Sequence, residues 1–332
     1  MTQQQVIDVH THVVPPALPE RIRARAQSLP SVEVSETADG RPLIALPRSA
    51  SLGAARPPIP GLLDLESGVS RMDQQGVDIA IISIWPDLLG TSLPPDESVA
   101  WAACVNDALI EVADNNDRLR ALATIPLQSD RAVAEMERAK ALGFVGIEIG
   151  TRALAYELDS EHLEPFWAAA ARLQLPVFVH PLYYGGDERL ADQRAFGLAN
   201  GIGRVNDTTI AISRVLLAGI PIRHSGLEII VAHGGGAIPY LLGRLGNIHA
   251  LNADTADPYA GFSRLHFDSI LFDPQILAYL IAKAGNDHVM LGSDHPFPNG
   301  DSEPRAIVTN ATEDAHARDL VLGGNACRIF GL

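Results

Sequence analysis

Cysteine and lysine are both scarce in this chain of 332 residues, and each shortage excludes something. Its two cysteines, Cys104 and Cys327, stand far apart with no Cys-x-x-Cys spacing, so no disulfide framework is expected and a reducing, cytoplasmic compartment fits. Of 25 basic residues only Lys140 and Lys283 are lysine, and both fall in stretches that read as helical. No apolar run reaches the roughly 18 uninterrupted residues that a membrane-spanning helix needs. The start of the chain carries neither the charged region nor the apolar region of a secretion signal. Positive charge is also short: the formal net charge is -15, which leaves no basic surface for nucleic acid or an anionic membrane. The expected partner is a small molecule. If it is an anion, local arginines must meet it against an adverse overall field.

What is present begins with Val6-Ile7-Asp8-Val9-His10-Thr11-His12, in which apolar residues alternate with the histidines. On a strand, His10 and His12 leave the same face and form a two-pronged metal ligand, held more rigidly than on a loop. Residues 15–63 are proline-rich and break the rhythm. Within them Val32-Glu33-Val34-Ser35 and Leu43-Ile44-Ala45-Leu46 flank Asp39-Gly40, a dipeptide suited to the positive φ angles of a tight hairpin turn. This reads as a small β insertion after the first strand, covering the active-site mouth, followed by an irregular stretch with Arg56.

From Leu65 a regular alternation sets in. Strands are expected at 77–84, which is nearly all apolar and β-branched, and at 119–127, 144–149, 175–180, 227–233, near 266–272 and at 288–293. Helical segments at 65–76, 96–116, 130–142, 161–173, 206–218, from 237 and at 274–284 separate them. With the first strand this makes eight, the pattern of an α/β chain folded as a (β/α)8 TIM barrel, and 1–332 is expected to form one domain. With 47% hydrophobic residues the chain can bury the core that such a domain needs.

In such a barrel the functional groups gather where the strands end at their C-terminal side. Those ends deliver His10 and His12 from the first strand, His180 from the fifth, His233 from the sixth and Asp294 from the eighth. Neutral imidazole with one carboxylate suits a divalent cation such as zinc, with a position left open for water or substrate.

His10-Thr11-His12, Val179-His180-Pro181, Ala232-His233-Gly234-Gly235-Gly236 and Gly292-Ser293-Asp294-His295-Pro296-Phe297-Pro298 resemble the amidohydrolase superfamily. More narrowly they resemble its decarboxylase branch, that of the 2-amino-3-carboxymuconate-6-semialdehyde decarboxylases. The likeness runs nearly end to end, through Met72-Asp73-Gln74-Gln75-Gly76-Val77-Asp78, Leu241-Leu242-Gly243-Arg244 and Gly324-Asn325-Ala326. It implies an amidohydrolase-type barrel in which His10, His12, His180 and Asp294 hold one Zn2+ per chain, with Mn2+ as second choice. His233 would then be the general base acting on water. The implied reaction is non-oxidative decarboxylation of a small unsaturated or aromatic carboxylic acid, most like a carboxymuconate semialdehyde. In related decarboxylases the substrate binds the metal directly and the aspartate delivers a proton to carbon, and the sequence leaves both routes open. A metal-dependent hydrolase or hydratase is the alternative within enzymes. A metal-binding protein without turnover is the alternative outside them.

Two-metal members of the superfamily bridge their ions with a carbamylated lysine from the fourth strand. Here that strand ends Gly146-Ile147-Glu148-Ile149-Gly150 and neither lysine is placed to serve, so one metal is expected, with Glu148 as a fixed carboxylate behind the ligands. Arg56 aligns with the family's substrate-carboxylate arginine, and Arg244 with a second that reaches into a partner's site, which implies a homodimer. Both would use the fork of the guanidinium on a carboxylate. Departures from the family pattern are Trp85 after the second strand, Leu182-Tyr183-Tyr184 after His180-Pro181, and His295 where relatives carry tyrosine. All are expected to line the mouth, Trp85 against the substrate.

Overall fold

The β-branched, apolar runs pair side by side in chain order. The computed structural model describes residues 5–47, 55–153, 156–182 and 196–332; Tyr183 and Tyr184 lie outside them. Strands β1 (Ile7–Val13), β2 (Ile79–Ile84), β3 (Leu119–Thr124), β4 (Gly146–Gly150), β5 (Val177–His180), β6 (Ile229–Val231), β7 (Leu265–Asp268) and β8 (Val289–Met290) make one sheet. Every neighbouring pair is parallel. The ring closes beyond β8, where the Val9 N–H donates to Leu291 O at 2.9 Å, the Asp294 N–H to His10 O at 2.9 Å and the His12 N–H to His295 O at 2.7 Å. The fold is the (β/α)8 barrel.

Helices α1 (Leu65–Gln75), α2 (Pro95–Asp114), α3 (Ala132–Leu142), α4 (Glu164–Leu173), α5 (Val205–Leu217), α6 (Ile238–Leu251), α7 (Pro274–Ala284) and α8 (Pro304–Ala311) follow the strands in turn. Their ends are written locally. Asp64 caps α1 by accepting from the Ser67 N–H, and Gly76, at φ 63°, ends it in the left-handed region open to glycine.

With helices outside and side chains packed inside, the strands are covered on both faces, which is why all six residues of β2 are buried. Ile7, Val9, Ile81, Phe178 and Ile230 fill the barrel interior. A second cluster ties the insertion down: Leu18, Ile22, Leu29 and Ile44 pack with Trp85 and Trp101. Each such side chain contributes roughly 1.5–3 kcal/mol relative to exposure. The hairpin read at Asp39-Gly40 is present, pairing Glu33–Glu36 with Pro42–Ala45 around Gly40 at φ 78°.

Four strands, β3, β6, β7 and β8, stop earlier than the residue pattern suggests, and for the first three the reasons are local. β3 ends at Thr124, whose N–H donates to the buried side chain of Asn106 instead of continuing a ladder. β6 is three residues long because His233, Gly234, Gly235 and Gly236 all take positive φ and leave the sheet. β7 ends at Asp268 because the Ile270 N–H turns back to that carboxylate.

Candidate metal centre and its cavity

Alternation along β1 sends His10 and His12 inward together, and both are buried. The ends of β5, β6 and β8 supply the rest. His10 Nε2 lies 3.0 Å from His12 Nε2 and 3.3 Å from Asp294 Oδ1. His12 Nε2 is 3.4 Å from the same oxygen, and His233 Nε2 is 3.6 Å from Asp294 Oδ2. The His180 ring centroid is 5.2 Å from that of His10 and 5.0 Å from that of His12. Potential ligand atoms of His10, His180, His233 and Asp294 all lie within 4.8 Å of one another. His233 and Asp294 themselves sit at φ 55° and 58°, a strained region for residues with side chains that is concentrated at functional sites.

The remaining ring nitrogens assign the tautomers. His10 Nδ1 donates to Asp268 Oδ2 at 2.7 Å and His180 Nδ1 donates to Pro181 O at 3.0 Å. Ser83 Oγ donates to Thr11 O, so at 3.0 Å it accepts from His12 Nδ1. Each ring therefore turns its Nε2 toward the others, an arrangement that repels unless a cation, whether a proton or a metal ion, lies between them. His180 Nε2 is buried with no hydrogen-bond partner. The donor set fits a divalent cation.

The electrostatics agree. Burial alone would lower the basicity of His10, but hydrogen bonds to Asp268 and Asp294 outweigh it and hold the ring at about 10. Carboxylates that favour an imidazolium there favour a metal cation equally. Burial pushes His12 down to about 4 and His180 well below the usual imidazole range. Burial would raise Asp294, yet its histidine partners keep it well below the usual carboxylate range.

Two further carboxylates stand behind the ligands. Asp8 accepts from the backbone N–H groups of His10 and Ser293 and from the Ser293 hydroxyl, tying β1 to the chain beyond β8; burial pushes it up to about 6. Glu148 lies 3.8 Å from His12 Nδ1, and burial pushes it up to about 8. It stands near the outer nitrogen of His12 but beyond hydrogen-bond distance, and that nitrogen is taken by Ser83. Lys140 and Lys283 lie exposed on α3 and α7.

His180, His233 and Asp294 line a cavity of about 580 Å³, together with Arg56, Ile59, Trp85 and Phe272. That volume suits a small organic molecule. Arg56 Nε and Nη2 both donate to Asp87 Oδ2, at 3.1 and 2.5 Å, and its Cζ stands 5.5 Å over the Trp85 ring. The profile of the Amidohydrolase family matches residues 7–332. The chain belongs to the amidohydrolase family.

Relatives of this amidohydrolase include 2-amino-3-carboxymuconate-6-semialdehyde decarboxylase of Dictyostelium discoideum, 28% identical over 281 residues, which is 81% of this chain and 77% of that protein. Gamma-resorcylate decarboxylase of Rhodococcus jostii (strain RHA1) is 28% identical over 263 residues, 72% of this chain and 79% of that one. Among solved structures, apo IDCase of Metarhizium anisopliae superposes with a TM-score of 0.84 at 25% identity, covering 99% of this chain and 98% of that one.

Not every residue expected at the mouth of this amidohydrolase lines the cavity. Trp85 and Arg56 do. His295 faces the other way, into a small space beside Arg71 and Met72, because it pairs with Thr11, whose side chain alternates with those of His10 and His12 and so points away from the barrel interior. Leu182 packs against Gly150. Arg244 is exposed on α6 and lines no part of its own cavity. Sequence reasoning missed Asp268, Ser83, Asp87 and Arg204. Asp268 left one signal, a carboxylate in the region of the seventh strand; the others left none.

Proposed function

We propose that this amidohydrolase is a metal-dependent, non-oxidative decarboxylase of a small unsaturated or aromatic carboxylic acid, most like a carboxymuconate semialdehyde. The observation that carries the reading is the convergence of bare imidazole nitrogens and the Asp294 carboxylate at a cavity walled by Arg56. Similarity to named decarboxylases supports it.

His10, His12, His180 and Asp294 would hold one divalent cation, Zn2+ first and Mn2+ second, since an all nitrogen and oxygen set accepts both. When bound, it would supply a Lewis acid for negative charge developing on substrate oxygen. His233 Nε2, 3.6 Å from Asp294 Oδ2, is the general base that takes a proton from water. Arg56 binds a substrate carboxylate and Trp85 packs against the carbon skeleton. The hydroxide adds to one carbon of the activated double bond while its neighbour, which bears the carboxylate, takes the proton from His233; the bond to the carboxylate then breaks, CO2 leaves, and the electron pair restores the double bond by expelling hydroxide.

The assembly belongs to the same proposal. Tyr240, Leu241, Arg244, Ile248 and Leu251 are exposed along α6, an apolar stripe with an arginine in it. A second copy covers that stripe, and each site of the homodimer borrows Arg244 from the other chain. Residues 1–332 act as one domain, with 15–63 over the mouth. Cys104 and Cys327, both free, suit the cytoplasm.

The test is CO2 release from a panel of unsaturated and aromatic acids by protein loaded with Zn2+ or Mn2+. Release from at least one acid is expected. Incorporation of water without CO2 would point instead to a hydratase or hydrolase.

A further inference from the structure

Arg204 is the last residue of a π-helical turn, Ala199–Arg204, that leads into α5, and no motif marks it in the sequence. Its side chain is 19% exposed and lines the same cavity as the metal-binding residues. The guanidinium is held from two sides: Nε donates to Asn200 Oδ1 at 3.1 Å and Nη1 donates to Pro181 O at 3.3 Å. Pro181 O is the oxygen that also accepts from His180 Nδ1. Two hydrogen bonds therefore link Arg204 to a residue of the metal centre, well within the span of one small molecule.

The remaining arm, Nη2, faces Asp87 Oδ1 from 3.8 Å, too far for a hydrogen bond. Asp87 spends its other oxygen on Arg56. Among the described residues, one carboxylate thus stands between two guanidiniums that share a cavity wall. Among the described residues one positive charge is left at this wall, in a chain whose net charge is -15. A half-buried cation without a full partner is costly unless a ligand completes it. A monoacid whose only carboxylate is spent on the metal centre and Arg56 does not complete it.

We infer that Arg204 is a specificity-determining residue that binds an anionic group of the substrate other than the reacting carboxylate. This rests on the proposed function in taking the metal centre and Arg56 as the place of the reacting carboxylate. The guanidinium, pre-oriented by Asn200 and Pro181, pairs the second group through Nη2, with Asp87 beside it engaged by Arg56.

The test compares acids of one skeleton that differ in charge: sorbate with muconate, and benzoate with isophthalate and terephthalate. Dissociation constants are measured by calorimetry on metal-loaded protein, with metal content recorded for each variant. The wild type is expected to favour at least one diacid over its monoacid by tenfold or more. Arg204→Gln should remove that preference, weakening the diacid by roughly ten- to a hundredfold with monoacid binding and metal content unchanged. Arg204→Lys should restore part of it, as a point charge without the fork. An unchanged ratio in Arg204→Gln, or equal losses for monoacid and diacid, overturns the inference. CO2 release with an unchanged ratio sinks this inference alone. A diacid preference lost in Arg204→Gln, without CO2 from any acid, sinks the decarboxylase reading alone.

Discussion

His10 Nδ1 and Asp268 Oδ2 lie 2.7 Å apart although 258 positions separate them in the chain. The same carboxylate accepts the backbone N–H of His233 at 2.9 Å and that of Gly234 at 2.8 Å. One side chain therefore sets both the tautomer of His10 and the turn that presents His233.

Asp268→Asn keeps the size of that side chain but turns an NH2 group toward groups that are themselves donors. Metal affinity should fall by roughly ten- to a hundredfold, with turnover falling alongside it, as for other residues that orient a metal-binding histidine. Titration against a competing chelator, with circular dichroism to verify folding, measures this. Affinity equal to wild type would remove Asp268 from the site.

His12 and His233 both stand beside Asp294, and their roles separate by metal content. His12→Ala, His180→Ala and Asp294→Ala are expected to lose metal and activity together. His233→Ala should retain about one metal per chain and lose turnover by roughly a hundredfold or more, the scale of general-base removal. Elemental analysis beside a CO2 assay decides it. A fully active His233→Ala protein means that the base lies elsewhere.

Arg244 yields a complementation experiment. Mixing inactive His233→Ala and Arg244→Ala proteins under subunit exchange makes mixed dimers with one intact site each. Activity should return to about a quarter of wild type per total site if exchange is random in a twofold dimer. No recovery after demonstrated exchange, or a monomer in sedimentation at micromolar concentration, argues against a shared site.

Stability should fall in mild acid through His266. Its ring donates to Glu228 Oε2 at 2.7 Å and stacks on His288 with centroids 4.7 Å apart. Burial lowers its pKa from the ordinary 6.5, so the folded chain binds that proton less readily than the unfolded chain. As pH drops below 6.5 the unfolded state gains a proton that the folded state refuses, and stability is lost. Glu228, held low chiefly by its bond to His266, acts in the same direction at lower pH. Urea denaturation at about pH 7.5 and about pH 5.5 should show this fall, and His266→Gln should show a smaller one. Protonation of the metal-centre histidines is common to both proteins and cancels. Equal falls would exclude His266.

Much of the molecule is legible in local pattern. Runs such as Val77–Ile84 are apolar on both faces because a parallel strand beneath helices is covered on both sides, and the eight runs in order specify the barrel. The barrel in turn gathers strand ends, which is why His10, His12, His180, His233 and Asp294 could be named as a group from the sequence. Contacts that depend on register and loop path were decided only in three dimensions. Asp268 reaches His10 because β7 ends at the Asp and the Gly234 turn folds over it. His295 turns away from the mouth because it pairs with Thr11, which points outward between His10 and His12. Arg204 reaches Pro181 O, and faces Asp87, through a π-helical turn. Hydrophobic period and motif spacing describe a segment against itself, whereas these pairings are set by how distant segments come to rest against one another.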